Sequence, residues 1–232
     1  ETSIIIRAFN EEKHLERLFD AIKGQVYQDF ETIVVDSGSY DHTRDISENR
    51  ADKVVRINSH DFTFGYSLNV GISAAKGKFL AIVSAHTIPE NDTWLANLID
   101  PLRDSDVAMA YGRQVGATSS KFSEFEDLQR IFGLEPKEEN ASNWSVNNAN
   151  SAISREYWEQ HKFDEKLTGL EDIEWARHWI LNGRKVKYVP DSSIVHIHEE
   201  SWTQINNRYY REAVAARRMN IAGRRTIPSI LA

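Results

Sequence analysis

An apolar run, Phe79-Leu80-Ala81-Ile82-Val83, stops abruptly at Ser84-Ala85-His86. Such a run reads as a buried strand delivering two polar side chains at its C-terminal end, and in a parallel sheet that end is where ligands bind. Imidazole is a good ligand for Mn or Zn and a poor one for Mg or Ca, and His86 could equally be a solvated side chain at a strand end. Far along the chain, Ser193-Ile194-Val195-His196-Ile197-His198 alternates strictly. Residues two apart in a strand share a face, so His196 and His198 point the same way. Glu171-Asp172 opens a segment whose Ile173, Trp175, Ala176, Trp179 and Ile180 make an apolar helix face. A helix N-terminus favours an ionised carboxylate there, and the neighbouring acid opposes it.

These groups need a frame. Ser3 to Phe9 is a β-branched run without alternation, as expected of an inner strand covered on both faces. Asn10 is placed to cap a helix opened by Glu11, Glu12, Lys13 and His14, with Leu15, Leu18, Phe19 and Ile22 at helical spacing and Gly24 as its stop. Glu31 to Asp36 is a second strand closing on an acid, followed by the turn Ser37-Gly38-Ser39-Tyr40-Asp41. Strand, helix and strand make a βαβ unit with a right-handed crossover.

Further on, Val54 to Ile57 reads as a strand, Ser67 to Gly77 as a helix, Trp94 to Leu102 as an amphipathic helix and Val107 to Gly112 as a strand. Periodicity fades from Ser119 to Ser145, which suggests a surface excursion. Order returns at Asn147 to Ser154, and Lys185-Val186-Lys187-Tyr188-Val189 and the His196 segment are expected as separate strands.

Composition narrows the class. At 232 residues with 41% apolar content, the chain can bury an ordinary core. A formal charge of -7 argues against a general nucleic-acid partner, which needs a basic face. Zero cysteines exclude disulfides and fit a reducing compartment. No apolar run is long enough for a membrane span and no signal segment is evident, so a soluble, cytoplasmic protein is expected. The segment from Trp202 differs: Arg208, Arg211, Arg217, Arg218, Arg224 and Arg225 face a single acid, Glu212. Interleaved with Tyr209, Tyr210, Val214 and Met219, they read as a basic amphipathic helix suited to an anionic membrane surface or a phosphorylated acceptor, or simply packed on the domain. The chain opens directly in a strand and ends in an unfinished-looking tail, as a piece of something longer would.

In this order the chain resembles the family 2 glycosyltransferases of the GT-A fold over nearly its whole length. The resemblance is carried by Ser3-Ile4-Ile5-Ile6-Arg7-Ala8-Phe9-Asn10-Glu11-Glu12; by Val34-Val35-Asp36-Ser37-Gly38-Ser39-Tyr40-Asp41; by Asn69-Val70-Gly71-Ile72 through Gly77 into Ser84-Ala85-His86; and by Gly169-Leu170-Glu171-Asp172. It implies an α/β fold with a Rossmann-like, mostly parallel central sheet flanked by helices over 1–200. Residues 1–115 would be the nucleotide-binding half, 116–200 the acceptor and catalytic half, and 201–232 an Arg-rich helical extension.

By that resemblance Ala8, Phe9, Glu11 and Asp36 hold base and ribose, with Asn69, Ser84 and His86 on the donor. A carboxylate such as Asp36 accepts well from a uracil-type imide N–H or from ribose hydroxyls. Ser84-Ala85-His86 replaces the usual Asp-x-Asp, so the cation site loses carboxylate charge. It looks like the Asp-x-His variant of the polypeptide N-acetylgalactosaminyltransferases, whose second His lies on a late strand, here His196. His86 and His196 are therefore expected to hold a divalent metal, Mn or Mg, with His198 as substitute; a metal-free site neutralised by His86 and arginines stays open. Asp172 matches the family's general base for inverting transfer. Asn148, Asn150, Glu171 and Trp175 are expected on the acceptor or donor-sugar side.

The function so implied is transfer of one sugar from a nucleotide-diphosphate sugar, UDP-linked by preference, to a hydroxyl of a saccharide or lipid-linked saccharide, at or near the inner face of the membrane. The Gln-x-x-Arg-Trp signature of processive synthases is absent. Two other readings stay open at this level: a non-catalytic nucleotide-sugar or glycan binding module, given the altered triplet, and a nucleotidyltransferase, which would want a Gly- and Lys/Arg-rich phosphate loop where this chain has Asn10-Glu11-Glu12.

Overall fold

The computed structural model describes residues 1–117, 128, 130–140, 145–197 and 201–221. The inner apolar runs form β1 (Thr2–Ala8), β2 (Phe30–Asp36) and β4 (Phe79–Ser84), with the short β3 (Lys53–Arg56) outside them. After these come β5 (Thr87–Pro89), β6 (Val107–Gly116), β7 (Lys137–Glu138), β8 (Asn150–Ser154) and β9 (Lys185–His196). One sheet joins them in the order β3-β2-β1-β4-β8-β6-β9-β5, with β7 on β9. Strands β3, β2, β1 and β4 pair parallel; β8 runs against β4 and β6, and β6 again pairs parallel with β9. The sheet is thus mostly parallel, as expected, with β5, β7 and β8 reversed.

Both faces of the parallel part are covered, which is why its strands carry no alternation. One face buries Ile4, Ile6, Val34, Ala81 and Val83 under α1 (Leu15–Lys23) and α4 (Trp94–Ile99). The other buries Ile5, Ile33, Val35, Leu80 and Ile82 under α3 (Phe64–Ala74), α5 (Arg155–Gln160), α6 (Glu171–Leu181) and part of α7 (Trp202–Arg218). Gly71 lets α3 lie close: a Cβ there would meet Val35 Cγ2 at 2.6 Å and Ile5 Cγ2 at 2.8 Å.

Several local expectations are corrected. Asn10 does not cap α1; it adopts φ 56° and its side-chain oxygen accepts the Tyr40 amide at 3.1 Å. The helix starts instead at Leu15, and His14 at its N-cap makes no side-chain capping bond. A missing cap costs about 1 kcal/mol. Burying Leu15, Leu18 and Ile22 contributes on the order of 1.5–3 kcal/mol each, so burial decides the helix. Helix α3 ends at Ala74 rather than Gly77, and its start is set by Thr63, whose hydroxyl accepts the Tyr66 amide. The helix α2 (Thr43–Arg50) is too polar for its period to be read. The two late strands are one: β9 runs through Pro190, bulging between the pairs Gly112·Val189 and Gln114·Ile194. At that bulge only glycine fits position 112, where a Cβ would lie 2.0 Å from Ser192 O.

Candidate active site

The C-terminal ends of β1, β2 and β4 form one rim, with Arg7 opposite Ser84 and Ala8 opposite Asp36 in register. Beyond Asp36 lies a cavity of about 330 Å³ lined by Asp36, Gly38, Ser39, Arg44, Arg56, Ile57, Asn58, Asp61 and Tyr66. Asp36 is nearly buried, and its Oδ1 accepts the Ser39 amide at 3.1 Å. Ala8 is buried beside it, its carbonyl accepting the Ser37 amide, and Phe9 projects outward with its ring against the edge of Tyr40. Two loops are laced together here: Asn10 N–H donates to Ser39 Oγ, Glu11 N–H to Thr43 Oγ1 and Glu12 N–H to Asp41 Oδ2. Burial alone would raise the Asp41 carboxyl, but hydrogen bonds from Thr43 and the Glu12 amide outweigh it and hold Asp41 below its ordinary value.

At the end of β4, His86 comes against His196 at the end of β9. The rings stack with centroids 5.1 Å apart and planes 16° from parallel. Strand β5 makes this possible: it pairs antiparallel with β9, and Thr87 lies opposite His196. Each ring is also held from behind, His86 Nδ1 lying 2.7 Å from Glu11 Oε1 and His196 Nδ1 2.7 Å from Gln114 Oε1. Glu11 is thus engaged with an imidazole and is not among the residues lining the Asp36 cavity. His198 lies outside the described residues.

Each ring could offer one nitrogen to a cation. With Nδ1 turned to an acceptor, Nε2 is the atom by which each would bind, and two nitrogen donors favour Mn or Zn over Mg. Among the described residues no cluster of three His, Cys, Asp or Glu could hold a metal by itself.

The acid pair sits at the start of α6, entered through Leu170 in the left-handed region at φ 60°. Glu171 Oε1 accepts from Arg7 Nη1 and from Asn148 Nδ2, each at 3.3 Å. The Asn148 amide donates to Asp172 Oδ2 at 3.1 Å, and Asn148 Oδ1 accepts from Ser151. The next carbonyl, of Ala149, accepts the Ser84 amide at 3.4 Å. Asp172 is therefore fastened to the segment that meets the end of β4, and Asn148 gives its backbone N–H to one acid and its side-chain Nδ2 to the other. The Arg7 guanidinium also lies over the Phe64 ring, 5.2 Å from its centroid.

Three expected site residues belong to the core instead. Asn69 uses its whole amide internally: Nδ2 donates to Phe163 O and Glu165 Oε1, and Oδ1 accepts from Trp158 Nε1 and the Phe163 amide. Asn150 is fully buried, donating to Arg113 O and Ser192 O and accepting from Trp94 Nε1. Trp175, also fully buried, donates to His161 O and packs beside Phe163 and Trp179. A saturated buried amide or a core indole has nothing to offer a substrate. Conversely, Arg7, Gln114, Arg44, Arg56 and Tyr66 were not singled out. Arg7 did carry a signal, a cation inside an otherwise apolar strand.

Residues 3–161 match the family described as Glycosyl transferase family 2, and the chain belongs to that family. It is similar to the O-antigen chain rhamnosyltransferase WbaN of Salmonella anatum, 25% identical over 206 residues, 84% of this chain and 65% of that one. It is 31% identical over 116 residues to an uncharacterized glycosyltransferase of Haemophilus influenzae, 47% of this chain and 35% of that one. In fold it is similar to the mannosyltransferase PcManGT of Pyrobaculum calidifontis, solved with GDP-Man and Mn2+ (TM-score 0.71, 20% identity, 94% of this chain and 64% of that one). It is also similar to S. aureus TarS 1-349 with UDP-GlcNAc (TM-score 0.72, 18% identity, 93% of this chain and 65% of that one). The chain spans less than two thirds of each of these proteins.

Proposed function

We propose that this chain is the catalytic core of an inverting glycosyltransferase that moves one sugar from a nucleoside-diphosphate sugar, with uridine the favoured base, to a hydroxyl of a saccharide or lipid-linked saccharide. The observation that carries this reading is the tie from Asp172 through the Asn148-Ala149 segment to Ser84, two residues before the His86 that stacks on His196. Membership of the family supports it.

In this account Asp36 accepts from the nucleoside in the adjoining cavity, and Arg56 and Tyr66 line the same space. His86 and His196 stand at the diphosphate and would hold a divalent cation, which supplies positive charge to the leaving diphosphate. Asp172 removes the proton from the acceptor hydroxyl as that oxygen attacks the anomeric carbon from the side opposite the departing diphosphate. Arg7 and Asn148 keep Glu171 and Asp172 in place at the helix start, so the base does not have to be ordered during the reaction. Among the described residues no helix is long and apolar enough to cross a membrane. The outer side of α7 bears Arg217 with exposed Trp202 and Tyr210, while Arg211 lies over the Phe64 ring and Arg218 donates to Lys166 O; the exposed aromatics and Arg217 suit peripheral contact with an anionic membrane face carrying a lipid-linked acceptor.

A thermal-shift screen of UDP, TDP, GDP and CDP, each with and without Mn or Mg, tests the donor side. The reading expects the largest stabilisation from UDP or TDP with Mn. Equal response to all four, with no effect of cation, would contradict it.

A further inference from the structure

We propose that Glu11 is a positioning residue for the cation site: its carboxylate orients the His86 ring with a proton on Nδ1, and returns through that ring the negative charge that Ser84-Ala85-His86 lacks. The inference rests on the reading of His86 and His196 as the cation-holding pair, and it adds the residue that makes an imidazole serve there in place of an acid.

A carboxylate can only accept a hydrogen bond, so at 2.7 Å from Glu11 Oε1 the His86 Nδ1 carries the proton, and Nε2 becomes the ligand atom. A ring bonded in this way to an anion is a more basic ligand than one bonded to a neutral group. The two halves of the pair differ in this respect, since His196 leans on the uncharged amide of Gln114.

The chain goes to some length to aim Glu11. Asn10 takes up φ 56°, a backbone conformation that persists only where the surroundings hold it. They do: Asn10 is bonded to the Ser39 hydroxyl and to the Tyr40 amide. Glu11 itself is fixed on both sides, its amide donating to Thr43 Oγ1 at 2.6 Å and its carbonyl accepting the His14 and Leu15 amides at 3.0 Å. Its side chain is mostly buried, at 16% exposure, and this limits competition from water for the imidazole.

The test uses Co2+ in the presence of UDP, read by visible absorption and by calorimetric titration, on wild type, Glu11→Gln, Glu11→Ala and His86→Ala. The expected result is Co2+ affinity lowered by roughly tenfold to a hundredfold in Glu11→Ala with a changed spectrum, and a smaller loss in Glu11→Gln, which keeps an acceptor but not the charge. In metal-free protein, long-range 1H–15N correlation should show a proton held on His86 Nδ1, and Glu11→Ala should lose that preference. Co2+ binding by Glu11→Ala within about twofold of wild type, while His86→Ala loses it, would overturn this proposal and leave the cation reading standing. Failure of wild type to take up Co2+ with UDP would overturn both. If Glu11→Ala does not fold, Glu11→Gln against wild type decides: an unchanged spectrum and affinity speak against the role.

Discussion

His86 and His196 stack with ring centroids 5.1 Å apart and planes 16° from parallel, although they leave the sheet on different strands. The short strand β5 folds back along β9 and sets Thr87 opposite His196, which brings the imidazoles from the ends of β4 and β9 together, and the proposed function has both serve one diphosphate. Replacing either ring by alanine should therefore abolish the extra thermal stabilisation that Mn gives to the UDP complex. At a hundredfold excess of ligand over its Kd that stabilisation amounts to about 2.7 kcal/mol. Retention of the Mn effect in both variants would contradict a shared site.

Asn150 is a structural residue in this account. Asn150→Ala leaves Trp94 Nε1 and the Arg113 and Ser192 carbonyls without their partner in the interior. Each unsatisfied group costs about 1–3 kcal/mol, so the urea midpoint should fall clearly while the affinity of whatever variant remains folded for UDP stays unchanged. A variant of normal stability that has lost affinity for the donor would instead restore Asn150 to the site.

Alkaline stability should report on the aromatic cluster around β9. Burial pushes the Tyr188 phenol up to about 12, against the lowering effect of Arg113. Burial also raises Tyr111, with the Glu139 hydrogen bond adding to it. In the unfolded chain a phenol loses its proton near about 10. The folded state thus holds more protons between those values, and the contribution present below about 10 is lost as pH rises towards about 12. The urea midpoint should fall across that window, and less steeply in Tyr188→Phe. Identical slopes for variant and wild type would show that Tyr188 is not held protonated by the fold.

Much of the frame can be read directly from residue types. The unbroken apolar runs of β1, β2 and β4 announce strands covered on both sides, and the alternation before His196 puts that ring on a defined face. What escapes is whatever depends on partners distant in sequence. Nothing local distinguishes Asn148, in the turn before β8, which holds two acids, from Asn150, the first residue of β8, which bonds Trp94 in the core; they differ in the distant partners they meet. Glu11 likewise reads as an acid in a helix start, because the His86 it faces arrives from another strand. Helix α2 hides because its sequence is almost wholly polar and only Thr43 and Ser47 are buried.

The central claim, that Asp172 is the base that takes the acceptor proton, is tested most directly by Asp172→Asn. Asparagine keeps the shape and can still accept the Asn148 amide, but it cannot take up a proton. Sugar transfer from a UDP-sugar, followed alongside UDP affinity, should show turnover lower by about a hundredfold to ten-thousandfold with donor affinity unchanged. Turnover within a few-fold of wild type would contradict the account.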